Sequence, residues 1–118
     1  MAKRLLILDD EANIRALYAR EFEDEGYTVE AVGTIEEADR AINERRPDLL
    51  ILDIRLGGPD GLSYLRTVME SQRDLPVVIC SAYSSYKEDF SSWLADAYVV
   101  KSADLDPLKR KVKELLAS

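Results

Sequence analysis

The 118-residue chain contains no histidine. A Ser-His-Asp triad, a histidine general base and the usual zinc sites are therefore excluded. Any chemistry falls to carboxylates, hydroxyls, lysine or a metal held by oxygens. There is one cysteine, Cys80, so no internal disulfide can form, which suits a cytosolic protein. Its place at the end of an apolar run reads as a buried structural thiol. No apolar run approaches the length of a bilayer span, and Met1-Ala2-Lys3-Arg4-Leu5 leads into a strand without a signal-peptide cleavage pattern. A cytoplasmic location and no membrane partner are expected. Positive charge is in deficit, with 16 bases against 23 acids and a net charge of -7. Such a surface repels phosphate backbones, so no direct nucleic-acid binding is expected. Gly and Pro are few, no linker or low-complexity tract interrupts the chain, and the length fits one domain over residues 1–118.

What is present is an apolar run that occurs twice and stops each time on an acid. Leu5-Leu6-Ile7-Leu8 ends at Asp9, and Leu49-Leu50-Ile51-Leu52 ends at Asp53. Three further apolar segments are Val29–Val32, Val77–Cys80 and Ala97–Val100. Four of the five are continuous, the pattern of parallel strands covered on both faces. Thr28–Val32 alternates and reads as an edge strand.

Helical patterns separate these segments. Ile14, Leu17, Tyr18 and Phe22 fall on one face and the pattern stops at Gly26. Thr34 to Glu37 reads as a capping box, with Ile35, Ala38, Ala41 and Ile42 inward. Asp60 caps a third helix carrying Leu62, Leu65 and Met69, and Ser85 to Glu88 opens a fourth with Tyr86, Phe90, Trp93 and Leu94. Asp106-Pro107 predicts an N-cap and a first-turn proline for a fifth, whose Leu108, Val112, Leu115 and Leu116 face the core. Pro76 is expected to begin its strand. Five strand–helix alternations make a (βα)5 chain: a doubly wound, five-stranded parallel sheet of order 2-1-3-4-5 with helices on both faces.

In such sheets the site lies at the carboxyl ends of the strands, beside the reversal of strand order. The residues that follow the strands there are Asp9, Asp10 and Glu11, then Asp53, Ser81 and Lys101. The second strand offers only Gly33 and Thr34. Taken singly, an aspartate after a strand is a turn former or cap, a serine a cap, a lysine a solvated charge. Together they form a complementary set. Three carboxylates in one pocket repel unless cations intervene; Lys101 supplies one charge and a divalent metal the rest. With oxygen ligands and no large cage, Mg²⁺ fits better than Ca²⁺. A hydroxyl and an ammonium suit the oxygens of a phosphoryl group, so the set looks built for phosphoryl transfer onto or off a carboxylate.

At these residues the sequence resembles the receiver domain of bacterial two-component response regulators, a flavodoxin-like (βα)5 family, over essentially its whole length. The marks are Ile7-Leu8-Asp9-Asp10-Glu11, Asp53 with Gly61 eight residues on, Ser81-Ala82, and Lys101. The resemblance implies that Asp53 accepts a phosphoryl group from a phosphohistidine on a histidine kinase or phosphotransfer protein. It implies Mg²⁺ held by Asp9, Asp10, Asp53 and the main-chain carbonyl of Arg55. Lys101 would pair with the phosphoryl group, the Ser81 hydroxyl would swing to it, and Tyr98 would turn inward as an aromatic switch. The output surface would be the fourth helix, fifth strand and fifth helix, near Tyr86, Trp93 and Lys109-Arg110-Lys111, acting on an output protein or domain. For Trp93, core packing is the simpler role, and for the basic run a solvated helix face. Such a protein catalyses only its own phosphorylation and dephosphorylation, as a monomer or a phosphorylation-dependent dimer. Both a standalone receiver and the first domain of a longer regulator fit the end at Ala117-Ser118. Arg55 and Tyr83, two residues past Asp53 and Ser81, are expected to slow hydrolysis of the aspartyl phosphate.

Two positions depart from the family. Ser102 stands where a proline usually follows the lysine, and Gly57-Gly58 precede a late Pro59 where a proline usually stands four residues after the acceptor. Competing readings are a flavin-binding electron carrier, which Asp9-Asp10-Glu11 would oppose by repelling a phosphate, a Mg²⁺-dependent phosphatase, and a phosphorylation-independent pseudo-receiver acting as a docking module.

Overall fold

The computed structural model describes residues 2–53, 64, 66–68, 70–72, 74–81 and 96–117. Five strands form one parallel sheet: β1 (Arg4–Leu8), β2 (Thr28–Val32), β3 (Leu49–Leu52), β4 (Val77–Ser81) and β5 (Ala97–Val100). Their order is β2-β1-β3-β4-β5, as the alternation predicts.

Because successive side chains point to opposite faces of a strand, each apolar run feeds two cores. Leu6, Leu8, Leu50, Leu52, Val77 and Ile79 face α2 (Ile35–Glu44), where they meet Ala38, Ala41 and Ile42. Tyr64 and Val68, from the helical residues described between β3 and β4, complete that core. Leu5, Ile7, Leu49, Ile51, Val78 and Cys80 face the other side. There they pack on Tyr18 and Phe22 of α1 (Ala12–Asp24) and on Leu108 and Val112 of the C-terminal helix (Asp106–Ala117). Continuous apolar strands are thus buried on both faces. No helix among the described residues is long and apolar enough to cross a membrane.

The helix ends follow local chemistry. Gly26 takes φ +99, the left-handed stop that only glycine adopts cheaply. The Thr34 hydroxyl accepts from Glu37 N at 3.1 Å and also meets the Glu37 carboxylate, so one arm of the expected capping box forms.

Several expectations are corrected. Leu17 is 44% exposed, because the buried stripe runs through Ile14, Tyr18 and Phe22 and leaves Leu17 about 100° from Tyr18 around the helix. The C-terminal helix starts one residue earlier than Asp106-Pro107 suggests. The Leu105 carbonyl accepts from Lys109 N, and the Asp104 carboxylate takes the Asp106 amide at 3.0 Å. Pro76 lies just before β4, where its carbonyl accepts from Leu50 N. Ala97–Val100 is the second edge of the sheet, and Val100 is 40% exposed. Asp60, Leu62, Leu65, Met69 and the segment from Ser85 to Leu94, with Tyr86 and Trp93, lie outside the described residues or side chains.

Candidate functional site

The two repeated runs are neighbours in register, paired from Leu5↔Leu49 to Leu8↔Leu52. Their aspartates therefore leave the sheet at the same level. Asp53 N donates to the Leu8 carbonyl at 2.9 Å, and Asp9 N donates to the Val32 carbonyl at 3.1 Å. One amide thus ties the end of β3 to β1, and the other ties the end of β1 to β2.

Asp9 and Asp53 are 2% and 1% exposed, the two buried charged residues among those described. Carboxylates this dry need partners. Lys101, directly after β5, reaches across the end of β4 and donates to Asp9 Oδ2 at 2.8 Å and to Asp53 Oδ2 at 3.2 Å. Burial by itself would depress the Lys101 ammonium. Its hydrogen bond to Asp9 and the charges of Asp53 and Asp9 outweigh it, so its pKa is raised and the charge is held. The other Asp9 oxygen accepts from Glu11 N at 2.9 Å, at the N-cap of α1.

Asp10 is exposed, and one oxygen from each of Asp9, Asp10 and Asp53 lies within 4.8 Å of the others. Asp9 and Asp53 share one ammonium with Asp10 beside them, an arrangement that invites a further cation. The donors are all hard oxygens, few in number and open on the Asp10 side. That set fits Mg²⁺, which keeps several waters and takes one or two carboxylates, better than the oxygen cage that Ca²⁺ wants.

Of the predicted site residues, the structure brings together Asp9, Asp10, Asp53 and Lys101. Ser81 is the last residue of β4, paired with Val100, and its main chain alone is described. Tyr98 sits opposite Ile79 and is half-buried, packed on the core that contains Leu52 and Tyr64. Arg55, Gly57, Gly58, Pro59, Gly61 and Tyr83 lie outside the described residues. Ser102 does not prevent Lys101 from reaching the acids. Its hydroxyl accepts from Asp104 N at 3.1 Å, a turn that leads the chain into the C-terminal helix.

Cys80 is buried, as its position suggests, and the Tyr18 hydroxyl lies 3.6 Å from its sulfur. Burial pushes the Cys80 thiol up to about 11 and raises the Tyr18 phenol as well. Both are core groups. In the basic run, Lys109 pairs with Glu21 at 2.8 Å and Lys111 with Glu114 at 3.2 Å, as a solvated helix face would.

One contact to the site was not foreseen. Arg15 Nη1 donates to the Asp9 carbonyl at 2.8 Å. A signal existed: a cation near the first turn of a helix opposes the macrodipole and needs a local reason to be there.

The family model for the response regulator receiver domain matches residues 5–113. The virulence transcriptional regulatory protein PhoP of Salmonella typhimurium is 31% identical over 115 residues, covering 96% of this chain and 51% of that protein. Response regulator MprA of Mycobacterium ulcerans is 33% identical over 118 residues, covering 98% of this chain and 51% of its own. The chain thus spans about half the length of these relatives. Among solved structures, response regulator TrrA of Thermotoga maritima, in complex with Mg²⁺-BeF, is 44% identical with a TM-score of 0.89, over 97% of this chain and 99% of that one. TrrA in complex with the histidine kinase ThkA matches with a TM-score of 0.87, over 97% of this chain and 98% of that one.

Proposed function

This chain belongs to the response regulator receiver domain family, and on that premise we propose that it is a phosphorylatable two-component switch whose acceptor is Asp53. The observation that carries the reading is Lys101 held between Asp9 and Asp53, at 2.8 and 3.2 Å, with Asp10 beside them. An acceptor carboxylate, a fixed ammonium and two further acids are the parts that phosphoryl transfer to oxygen requires.

In the proposed step an Asp53 carboxylate oxygen attacks the phosphorus of a phosphohistidine. A P–O bond forms and the P–N bond breaks, and its electron pair stays on the imidazole nitrogen, which takes up a proton. The partner, a histidine kinase or phosphotransfer protein, must bring that histidine, since this chain has none. Lys101 keeps its proton and exchanges one carboxylate contact for a phosphoryl oxygen. The Ser81 hydroxyl donates to another. Asp9, Asp10, Asp53 and the Arg55 carbonyl would hold Mg²⁺, which when bound neutralises charge on the phosphoryl oxygens. Hydrolysis reverses the gain, with Arg55 and Tyr83 limiting the approach of water.

The output follows from the same contacts. As the Ser81 hydroxyl engages the phosphoryl group, Tyr98, already half-buried, turns further inward. The surface of β5 and the C-terminal helix, with the helix expected from Ser85 to Leu94, then signals to an output domain or a separate cytoplasmic protein, with or without dimerisation. The binding of Mg²⁺-BeF by TrrA, and of TrrA by a histidine kinase, supports this reading.

Intact mass after incubation with a small phosphodonor tests it. A gain of one phosphoryl group that needs Mg²⁺ and is lost in Asp53→Asn is expected. No gain in folded, Mg²⁺-saturated protein would instead indicate a docking module, and steady turnover of phosphate esters a phosphatase.

A further inference from the structure

Asp9 is held at every polar atom, and one of its partners has no assigned role. Its amide bonds β2, Oδ1 takes the Glu11 amide, and Oδ2 takes Lys101. The carbonyl accepts from Arg15 Nη1 at 2.8 Å. That carbonyl belongs to the Asp9–Asp10 peptide, so its direction fixes the plane from which the Asp10 side chain departs. Asp9 is buried and packed in place, whereas Asp10 is exposed, and the peptide that carries it sets where its side chain starts.

The guanidinium can approach because of a glycine on the neighbouring strand end. A Cβ on Gly33 would stand 2.7 Å from Arg15 Nη1 and 3.2 Å from Arg15 Cζ. Gly33 does not take a positive φ, so its backbone tolerates a side chain; the space is what it provides. Sequence alone gave Gly33 no function, since β2 is the edge strand away from the reversal of strand order.

We propose that Arg15 is a positioning residue for the metal site, and that Gly33 is the gap that lets it act. Arg15 latches the Asp9 carbonyl and so sets the direction of the Asp10 carboxylate toward the oxygens of Asp9 and Asp53. The inference rests on the reading of these three acids as a Mg²⁺ site. Its electrostatic sign makes it testable. A positive charge beside a cation site weakens cation binding, so removing the Arg15 charge by itself would tighten Mg²⁺. Loss of a positioning contact outside the ligand sphere loosens it, typically by tenfold or more.

The experiment is calorimetric titration of the protein with Mg²⁺ alone, without phosphodonor, on wild type, Arg15→Ala, Gly33→Ala and the double variant. Arg15→Ala is expected to raise the Kd for Mg²⁺ about tenfold despite the lost charge. Gly33→Ala keeps the charge but forces the guanidinium, the far end of a flexible side chain, to shift, and is expected to weaken Mg²⁺ by a smaller factor than Arg15→Ala at little cost in stability. In the Arg15→Ala background the added Gly33→Ala methyl meets no guanidinium, so the double variant should match Arg15→Ala. Should Arg15→Ala fail to fold, Gly33→Ala carries the test. Unchanged or tighter Mg²⁺ binding in the single variants, with wild type binding normally, overturns this inference and leaves the site reading intact. No Mg²⁺ binding by wild type overturns both.

Discussion

Replacing Asp53 by asparagine removes one of the two carboxylates that share the Lys101 ammonium, with Asp10 beside them. Before any metal binds, Asp53 feels two repulsions, from Asp9 and Asp10, across separations of no more than 4.8 Å. At an effective dielectric of about 20 each is worth about 3.5 kcal/mol. Its attraction to Lys101 at 3.2 Å is worth about 5 kcal/mol on the same footing. Among these three charge interactions the repulsions win by about 2 kcal/mol, and the desolvation of a carboxylate 1% exposed acts in the same direction. Asp53→Asn should therefore stabilise the metal-free protein by about 2 kcal/mol, although it removes the proposed acceptor. Urea unfolding in EDTA at pH 7 and low salt, followed by circular dichroism, should show the midpoint rising by about 1 M. Saturating Mg²⁺ should narrow the gap, because wild type gains about 2.7 kcal/mol at a hundredfold excess over Kd and the variant gains less. A midpoint that falls in EDTA would refute the reasoning, since the site would then not be in electrostatic deficit.

The opposite change, Lys101→Met, leaves Asp9 and Asp53 buried with no ammonium and should cost about 3 kcal/mol in EDTA at pH 7. Because the folded pKa of Lys101 is raised, its contribution is complete below the ordinary lysine value of 10.5 and is lost above it. The stabilities of wild type and variant should accordingly converge in strong alkali, which urea midpoints against pH would reveal. Cys80 adds a second alkaline signature. Its thiol is raised from 9.0 to about 11 by burial, against the hydrogen bond it shares with Tyr18, so the unfolded chain ionises first. Stability should fall by about 2–3 kcal/mol between pH 9 and 11, and Cys80→Ala should remove that part of the decline.

The fold was legible because parallel strands covered on both faces leave uninterrupted apolar runs, and Leu49–Leu52 matches its expected bounds. The acids and Lys101 were legible because strand order fixes which strand ends meet. Errors arose where a residue's surroundings, not its own pattern, decide. Leu17 shares a helical period with Tyr18 and Phe22 yet falls on the flank, a matter of where the stripe is centred. The C-terminal helix begins at Asp106, one residue earlier than Asp106-Pro107 suggests, because the Asp104 carboxylate takes the Asp106 amide, and a sequence with two acids in that turn does not reveal which one caps. Arg15 and Gly33 stayed hidden for a similar reason: their meeting depends on the path from β2 into α2, which no spacing encodes.

The central claim is that Asp53 carries the phosphoryl group, and borohydride trapping tests it most directly. Reduction converts an aspartyl phosphate to homoserine, which peptide mass spectrometry locates by residue. After phosphodonor and Mg²⁺, the account predicts homoserine at position 53 and unmodified aspartate at positions 9 and 10. Homoserine at position 9 or 10, or a phosphoryl group retained on Ser81 with Asp53 intact, would contradict it.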